Sequence, residues 1–130
     1  MAETRFATAI NCIDGRTQIP VTNFLKAKFG VDFIDMVTEA GPVKALAEGG
    51  AAEILASLKR RVEVSIKAHG SSAVGIGAHE DCAGNPVSEE VQVAQLRKAA
   101  ARVRSWCPEV EVALLWVGVD GSVREVEDQE

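Results

Sequence analysis

Five side chains in two short stretches have the types and spacing to do metal chemistry together. Asn11-Cys12-Ile13-Asp14-Gly15-Arg16 closes one apolar run with a thiol, a carboxylate and a guanidinium. Gly77-Ala78-His79-Glu80-Asp81-Cys82 closes another with an imidazole and, three positions on, a second thiol. Two thiolates and one imidazole suit zinc, which prefers tetrahedral nitrogen and sulfur coordination and keeps a fourth position open in catalytic sites. Cys12, His79 and Cys82 are therefore the expected ligands. Two thiolates neutralise the ion's formal charge, so its bound water is acidified less than in a three-histidine site, and a nearby carboxylate would help. Asp14 is placed to give that help and Arg16 to hold it. With Arg16 engaged, Asp14 turns from the metal, accepts a hydrogen bond from zinc-bound water or hydroxide, and leaves the fourth position open. With Arg16 disengaged, Asp14 can become the fourth ligand and block the site.

These residues are far apart along the chain, so strands must bring them together. Arg5 to Ile13 is mostly apolar or small, with Phe6, Ile10 and Ile13 as bulky members, and suits a buried first strand. Pro20 followed by Val21, Phe24, Leu25 and Phe29 predicts a helix that stops at Gly30. A second strand is expected over Val31 to Val37. From Val43 to Ala68 the spacing is helical in two pieces broken at Gly49-Gly50; the longer puts Ile54, Leu55, Leu58, Val62 and Ile66 on one face. The glycine-containing apolar run from Ser72 to Ala78 fits a central strand that helices approach closely. Ser88, with Glu89 and Glu90 behind it, starts a helix that Val91, Ala94, Leu96, Ala100 and Val103 carry toward Trp106. Val110 to Val119 reads as a strand, Asp120-Gly121 reverses it, and Ser122 to Val126 alternates like an antiparallel edge strand. The acidic tail Glu127-Asp128-Gln129-Glu130 is expected to fray.

Strands separated by helical crossovers imply a three-layer α/β/α fold. We expect a single domain over residues 1–130 with a mostly parallel five-stranded sheet, order 2-1-3-4-5, strand 5 antiparallel. In that order strands 1 and 3 are neighbours whose chains leave toward opposite sides, and ligands bind at the carboxyl ends of strands where such a reversal opens a crevice. Cys12 and Asp14 close strand 1; His79 and Cys82 close strand 3.

Composition narrows the partners. The formal net charge of -5 argues against nucleic acid and anionic membranes, which reward basic patches. Lys59-Arg60-Arg61 and Arg97-Lys98 fall in helical patterns, as solvated faces. No apolar run approaches the roughly 18 residues of a membrane span, and the N-terminus lacks a signal-peptide pattern, so a cytoplasmic location is expected. There, three cysteines point to free thiols or metal ligands rather than structural disulfides. A cysteine phosphatase loop would need arginine where Gln18 stands, and there is no Gly-rich phosphate loop with lysine and no Gly-x-Ser-x-Gly elbow.

Cys12-Ile13-Asp14-Gly15-Arg16 followed by His79-Glu80-Asp81-Cys82 resembles the Cys-x-Asp-x-Arg and His-x-x-Cys pair of the beta-class carbonic anhydrases. The expected sheet is similar to that family's core as well. The resemblance implies zinc on Cys12, His79 and Cys82, a catalytic Asp14-Arg16 dyad, and attack of zinc-bound hydroxide on carbon dioxide to give bicarbonate. Carbonyl sulfide and carbon disulfide are related small electrophiles such a site could take. The resemblance also implies a homodimer or higher homo-oligomer with active sites near the subunit interface.

There are departures from the family pattern. Gly15 stands where serine is usual, Ala83 follows Cys82 in place of glycine, and Thr38-Glu39-Ala40-Gly41 stands for Arg-Asn-Ala-Gly. Four residues precede strand 1, where the family usually places N-terminal helices. These differences motivate an alternative, a catalytically inactive zinc-binding module that retains the fold. A third possibility is a reversible Cys12-Cys82 disulfide.

Other residues carry weaker expectations. Gln18 is a candidate hydrogen-bond donor to a substrate oxygen. Glu80 and Asp81 are expected as solvated loop carboxylates, and Trp106 and Trp116 as core or interface residues. Cys107 is expected as a packed or partly exposed thiol, and His69 beside terminal helix carbonyls or solvent.

Overall fold

The computed structural model describes residues 4–128, so Gln129 and Glu130 of the acidic tail lie outside the described residues. The chain runs β1 (Phe6–Cys12), α1 (Gly15–Phe29), β2 (Phe33–Glu39), α2 (Pro42–Glu48), α3 (Ala52–His69), β3 (Ala73–His79), α4 (Glu89–Trp106), β4 (Glu111–Val117) and β5 (Val123–Val126). The strands form one sheet in the order β2-β1-β3-β4-β5. β1 pairs in parallel with β2 and β3, β3 in parallel with β4, and β5 runs antiparallel to β4. The expected sheet order and the reversed last strand are both borne out.

Alternation along the strands builds the three layers, because successive side chains point to opposite faces. Ile10, Val74, Ile76, Leu114 and Trp116 pack with Leu46 of α2, Leu58 and Val62 of α3, and Leu96 and Val103 of α4. Ala9, Ala113, Leu115 and Val117 face the other way, against Val21 and Leu25 of α1. α1 sits directly on the backbone of β3: a Cβ at Gly75 would lie 2.6 Å from Leu25 Cδ2, so only glycine admits the helix there.

Several boundaries differ from expectation by a residue or more, and four of the differences bear on the site or the core. α1 begins at Gly15 instead of Pro20 because Asp14 caps it, its side chain accepting from the Arg16 amide at 2.9 Å; Pro20 lies inside the helix. Ile13, beyond the end of β1, is exposed instead of buried. β2 starts two residues later than expected, since the Asp32 and Phe33 amides both donate to the Arg5 carbonyl, at 2.9 and 3.2 Å, before the ladder begins. The β4–β5 connection takes residues 118–122, closed by a 2.9 Å bond from the Gly118 amide to the Ser122 carbonyl, rather than a two-residue turn.

Ser88 caps α4 as expected, but the helix's inner face is turned. Val91 and Ala94 are exposed while Gln92, Leu96, Ala99, Ala100 and Val103 are buried. Among the described residues no helix is long and apolar enough to cross a membrane.

One feature of the pairing positions the site. β1 and β3 share register only over Thr8–Ile10 and Val74–Ile76, though both strands continue. Their pairing stops short of the carboxyl ends, where Cys12 and His79 lie.

Candidate metal centre

Cys12 is the last residue of β1, His79 the last of β3, and Cys82 follows in the next loop. All three are buried, at 3, 3 and 4% exposure respectively, and their ligand atoms lie within 4.8 Å of one another. The two sulfurs are 3.9 Å apart. Thiolates sharing a tetrahedral zinc with bonds near 2.3 Å lie about 3.8 Å apart, whereas a disulfide needs about 2.05 Å. Both cysteines are free thiols.

The histidine is set up for a ligand. His79 Nδ1 lies 2.9 Å from the Glu80 carbonyl oxygen. A carbonyl only accepts, so Nδ1 carries the proton and Nε2 presents a lone pair. Nε2 is buried and has no hydrogen-bond partner. Leaving such a group unpaired costs on the order of 1–3 kcal/mol, and a buried lone pair on a histidine grouped with two thiols is what a cation would satisfy. Burial first, then the neighbouring Cys12, pushes the Cys82 thiol up, against the Gly84 and Asn85 amides that pull it down. A positive ion would reverse that balance. The donor set fits a thiophilic divalent metal.

Residues outside the expected ligand set and dyad hold the backbone at these ligands. Gln92 of α4, 1% exposed, donates from Nε2 to the His79 carbonyl at 2.9 Å and to the Val87 carbonyl at 3.4 Å. A glutamine amid apolar helix positions was its one signal. On the β1 side, Gln18 Nε2 donates to the Cys12 carbonyl at 2.5 Å, and the Thr17 hydroxyl to the Asp14 carbonyl at 2.8 Å. Gln18, a candidate donor to substrate in the sequence, thus spends its amide on the β1–α1 turn. The loop carrying Cys82 is braced by backbone contact: a Cβ at Gly84 would lie 2.7 Å from the Ala40 carbonyl carbon, and one at Gly41 2.8 Å from Gly84. Gly41 also takes a left-handed φ of 57°.

Asp14 and Arg16 are joined in this structure. Asp14 Oδ1 accepts from the Arg16 amide at 2.9 Å and from Nε at 3.0 Å, and Oδ2 accepts from Nη2 at 2.7 Å. The Arg16 side chain, and then its amide, hold the Asp14 carboxyl well below the usual carboxylate range. Arg16 reaches further, to the Asp81 carbonyl at 3.1 Å and Asp81 Oδ2 at 3.4 Å. Asp81 is the exposed loop carboxylate expected, and it also meets Arg16. Glu80 Oε1 accepts from the Val119 amide at 3.1 Å, tying the loop to the β4–β5 connection.

The remaining candidates lie elsewhere. His69 Nδ1 bonds the Asp35 carboxylate at 2.6 Å and its ring stacks on Phe6 at 4.2 Å, so its partner is a β2 side chain in place of helix carbonyls. Cys107 is buried, its thiol donating to the Val103 carbonyl at 3.1 Å. Trp116 is in the core, and Trp106 packs partly buried against it.

Comparison with known proteins gives a family and a fold. A family model described as "putative carbonic anhydrase" matches residues 2–127. Among solved structures, the carbonic anhydrase from Streptococcus mutans matches at TM-score 0.61 and 18% identity, over 96% of this chain and 84% of that one. Beta-carbonic anhydrase isoform I from Trichomonas vaginalis matches at TM-score 0.58 and 18% identity, over 96% and 86%. A structure from Sordaria macrospora, reported with its tetrameric beta-carbonic anhydrases, matches at TM-score 0.51 and 10% identity, over 96% and 82%. No curated protein matches the sequence itself. At these identities the structural likeness establishes the beta-carbonic-anhydrase fold.

Proposed function

This chain belongs to the carbonic anhydrase family that its model describes, and from that premise we propose that it is a zinc enzyme hydrating carbon dioxide to bicarbonate. Carbonyl sulfide and carbon disulfide are alternative small electrophiles for the same chemistry. The observation that carries the proposal is the buried, unpartnered Nε2 of His79, its tautomer fixed by the Glu80 carbonyl, on a residue grouped with two free thiols. Cys12, His79 and Cys82 would hold the ion. When bound, zinc supplies Lewis acidity, lowering the pKa of a coordinated water toward neutrality.

The chain's own residues orient the reacting water. A carboxylate has about four acceptor sites. Arg16 occupies three on Asp14, two on Oδ1 and one on Oδ2. The remaining one, on Oδ2, can accept a hydrogen bond from the water and point its oxygen lone pair at the electrophilic carbon. Because Arg16 keeps Asp14 ionised, Asp14 acts as an acceptor that orients the water, not as a store for the released proton. Gln92 and Gln18 hold the backbone at His79 and Cys12, so the ligands need little ordering before the ion arrives.

We also propose a homodimer or higher oligomer; the tetrameric beta-carbonic anhydrases reported from Sordaria macrospora support that reading. Stopped-flow hydration with zinc-loaded protein tests the activity. A rate above that of buffer, lost on zinc removal, is expected. Stoichiometric zinc with a rate equal to buffer would overturn the carbon dioxide claim and leave the inactive zinc-binding module.

A further inference from the structure

Asp81 is the one described residue other than glycine with a left-handed backbone, φ 60°. Side chains other than those of glycine, asparagine and aspartate rarely adopt this conformation, and where a structure holds it, something is gained. Here the gain is a contact. The Asp81 carbonyl accepts from Arg16 Nη2 at 3.1 Å, and the carboxylate accepts from Nη1 at 3.4 Å. Asp14 takes the Nε proton and the other Nη2 proton. Four of the five N–H groups of the guanidinium are thus assigned, two to each aspartate, and a planar fork held on both sides cannot swing.

The two Asp81 contacts are unequal. Its carboxylate is 77% exposed and 3.4 Å away, so water screens it; its carbonyl is closer and is aimed by the main chain. We propose that Asp81 is a positioning residue whose left-handed backbone, through its carbonyl, clamps Arg16 onto Asp14 and so keeps Asp14 turned from the Cys12-His79-Cys82 cluster. The proposal rests on reading that cluster as a metal site. The Cys82 loop then does two things: it supplies a ligand, and it decides whether the Asp14 carboxylate, released from Arg16, can enter the remaining coordination position.

This assigns the function to the backbone conformation at position 81 and little of it to the charge. Asp81→Asn removes the charge and keeps a residue at ease in left-handed geometry; Asp81→Gly keeps the conformation without any side chain. Asp81→Val disfavours that conformation and swings the carbonyl away.

Cobalt-loaded protein titrated with azide reads the outcome through the visible absorption of the metal. Wild type, Asp81→Asn and Asp81→Gly are expected to bind cobalt stoichiometrically and to respond to azide alike, within about threefold. Asp81→Val is expected to bind cobalt but respond at least tenfold more weakly, and Asp81→Val with Asp14→Ala to recover the response, since no carboxylate remains to fill the position. Should Asp81→Val fail to fold, Asp81→Ala is read in its place and is expected to fall between Gly and Val. An unchanged azide response in the Val or Ala variant, or a loss in Asp81→Asn equal to that in Val, would overturn the proposal. Wild type that takes up no cobalt would instead overturn the metal site itself, and the clamp with it.

Discussion

The chain's two histidines, one just before β3 and one at its end, are bonded in opposite ways. His69 belongs to a closed network: Thr8 and Ser71 hydroxyls meet the Ser65 hydroxyl at 2.6 and 2.7 Å, and Ser65 donates to Asp35 Oδ2 at 2.7 Å, which also takes His69 Nδ1. A hydroxyl has one proton and two lone pairs. Ser65 spends its proton on the carboxylate and accepts from Thr8 and Ser71, so the hub is saturated. His79 sits deeper and is left open, one nitrogen on a carbonyl and the other with nothing. A saturated polar cluster is architecture, linking β1, β2 and α3. An unsaturated one beside two thiols is a site.

Exchanging the fates of the two rings tests that contrast most severely. His79→Ala should weaken zinc retention by at least a factor of roughly 1,000, by losing one of three protein ligands, whereas His69→Ala should leave zinc content unchanged; metal analysis after dialysis against a chelator measures both. Equal loss would erase the distinction. Next in size, Asp14→Asn should keep stoichiometric zinc but lower hydration by about 100-fold, the scale on which a misplaced reactant slows a reaction, as read by stopped flow. Loss of zinc in that variant would move Asp14 into the ligand set. On the saturated side, Ser65→Ala should cost about 2 kcal/mol in urea unfolding, because Thr8 and Ser71 lose a buried acceptor, with no change in metal affinity. The smallest effect is expected for Gln92→Leu. Freeing the His79 carbonyl should weaken zinc about tenfold, the lower end for a group that supports a ligand, as measured by chelator competition; an unchanged affinity would reduce Gln92 to packing.

The sequence disclosed the donors better than it disclosed what holds them. Cys12, His79 and Cys82 could be paired in advance because apolar runs ended at them and the sheet order made those ends adjacent. Asp14 and Arg16 could be paired because they are two residues apart. Asp35 and His69 are 34 residues apart, and only the packing of α3 on β2 brings them together. Gln92 was hidden because a buried glutamine breaks the helix's apolar spacing, which then pointed to exposed Val91. The start of α1 was obscured by Pro20, the stronger local signal, although Asp14 ahead of Gly15 is a cap in its own right. In each case the missing information was a contact between elements, which periodicity does not record.

The paired glycines 41 and 84 bear on which ion the site would choose. Their backbones touch, so the loop bearing Cys82 leans on the loop after β2 and has little freedom of its own. Donors already near bonding separation do not have to be gathered by the ion, so a tightly bound metal gains no advantage by organising them. Discrimination then falls to the donors: two sulfurs and an imidazole favour thiophilic ions over magnesium or calcium. Such rigidity also moves part of the control of metal exchange to the far side of the loop contact. There a single methyl group added at position 41 or 84 would pry the loops apart and loosen a ligand it never touches.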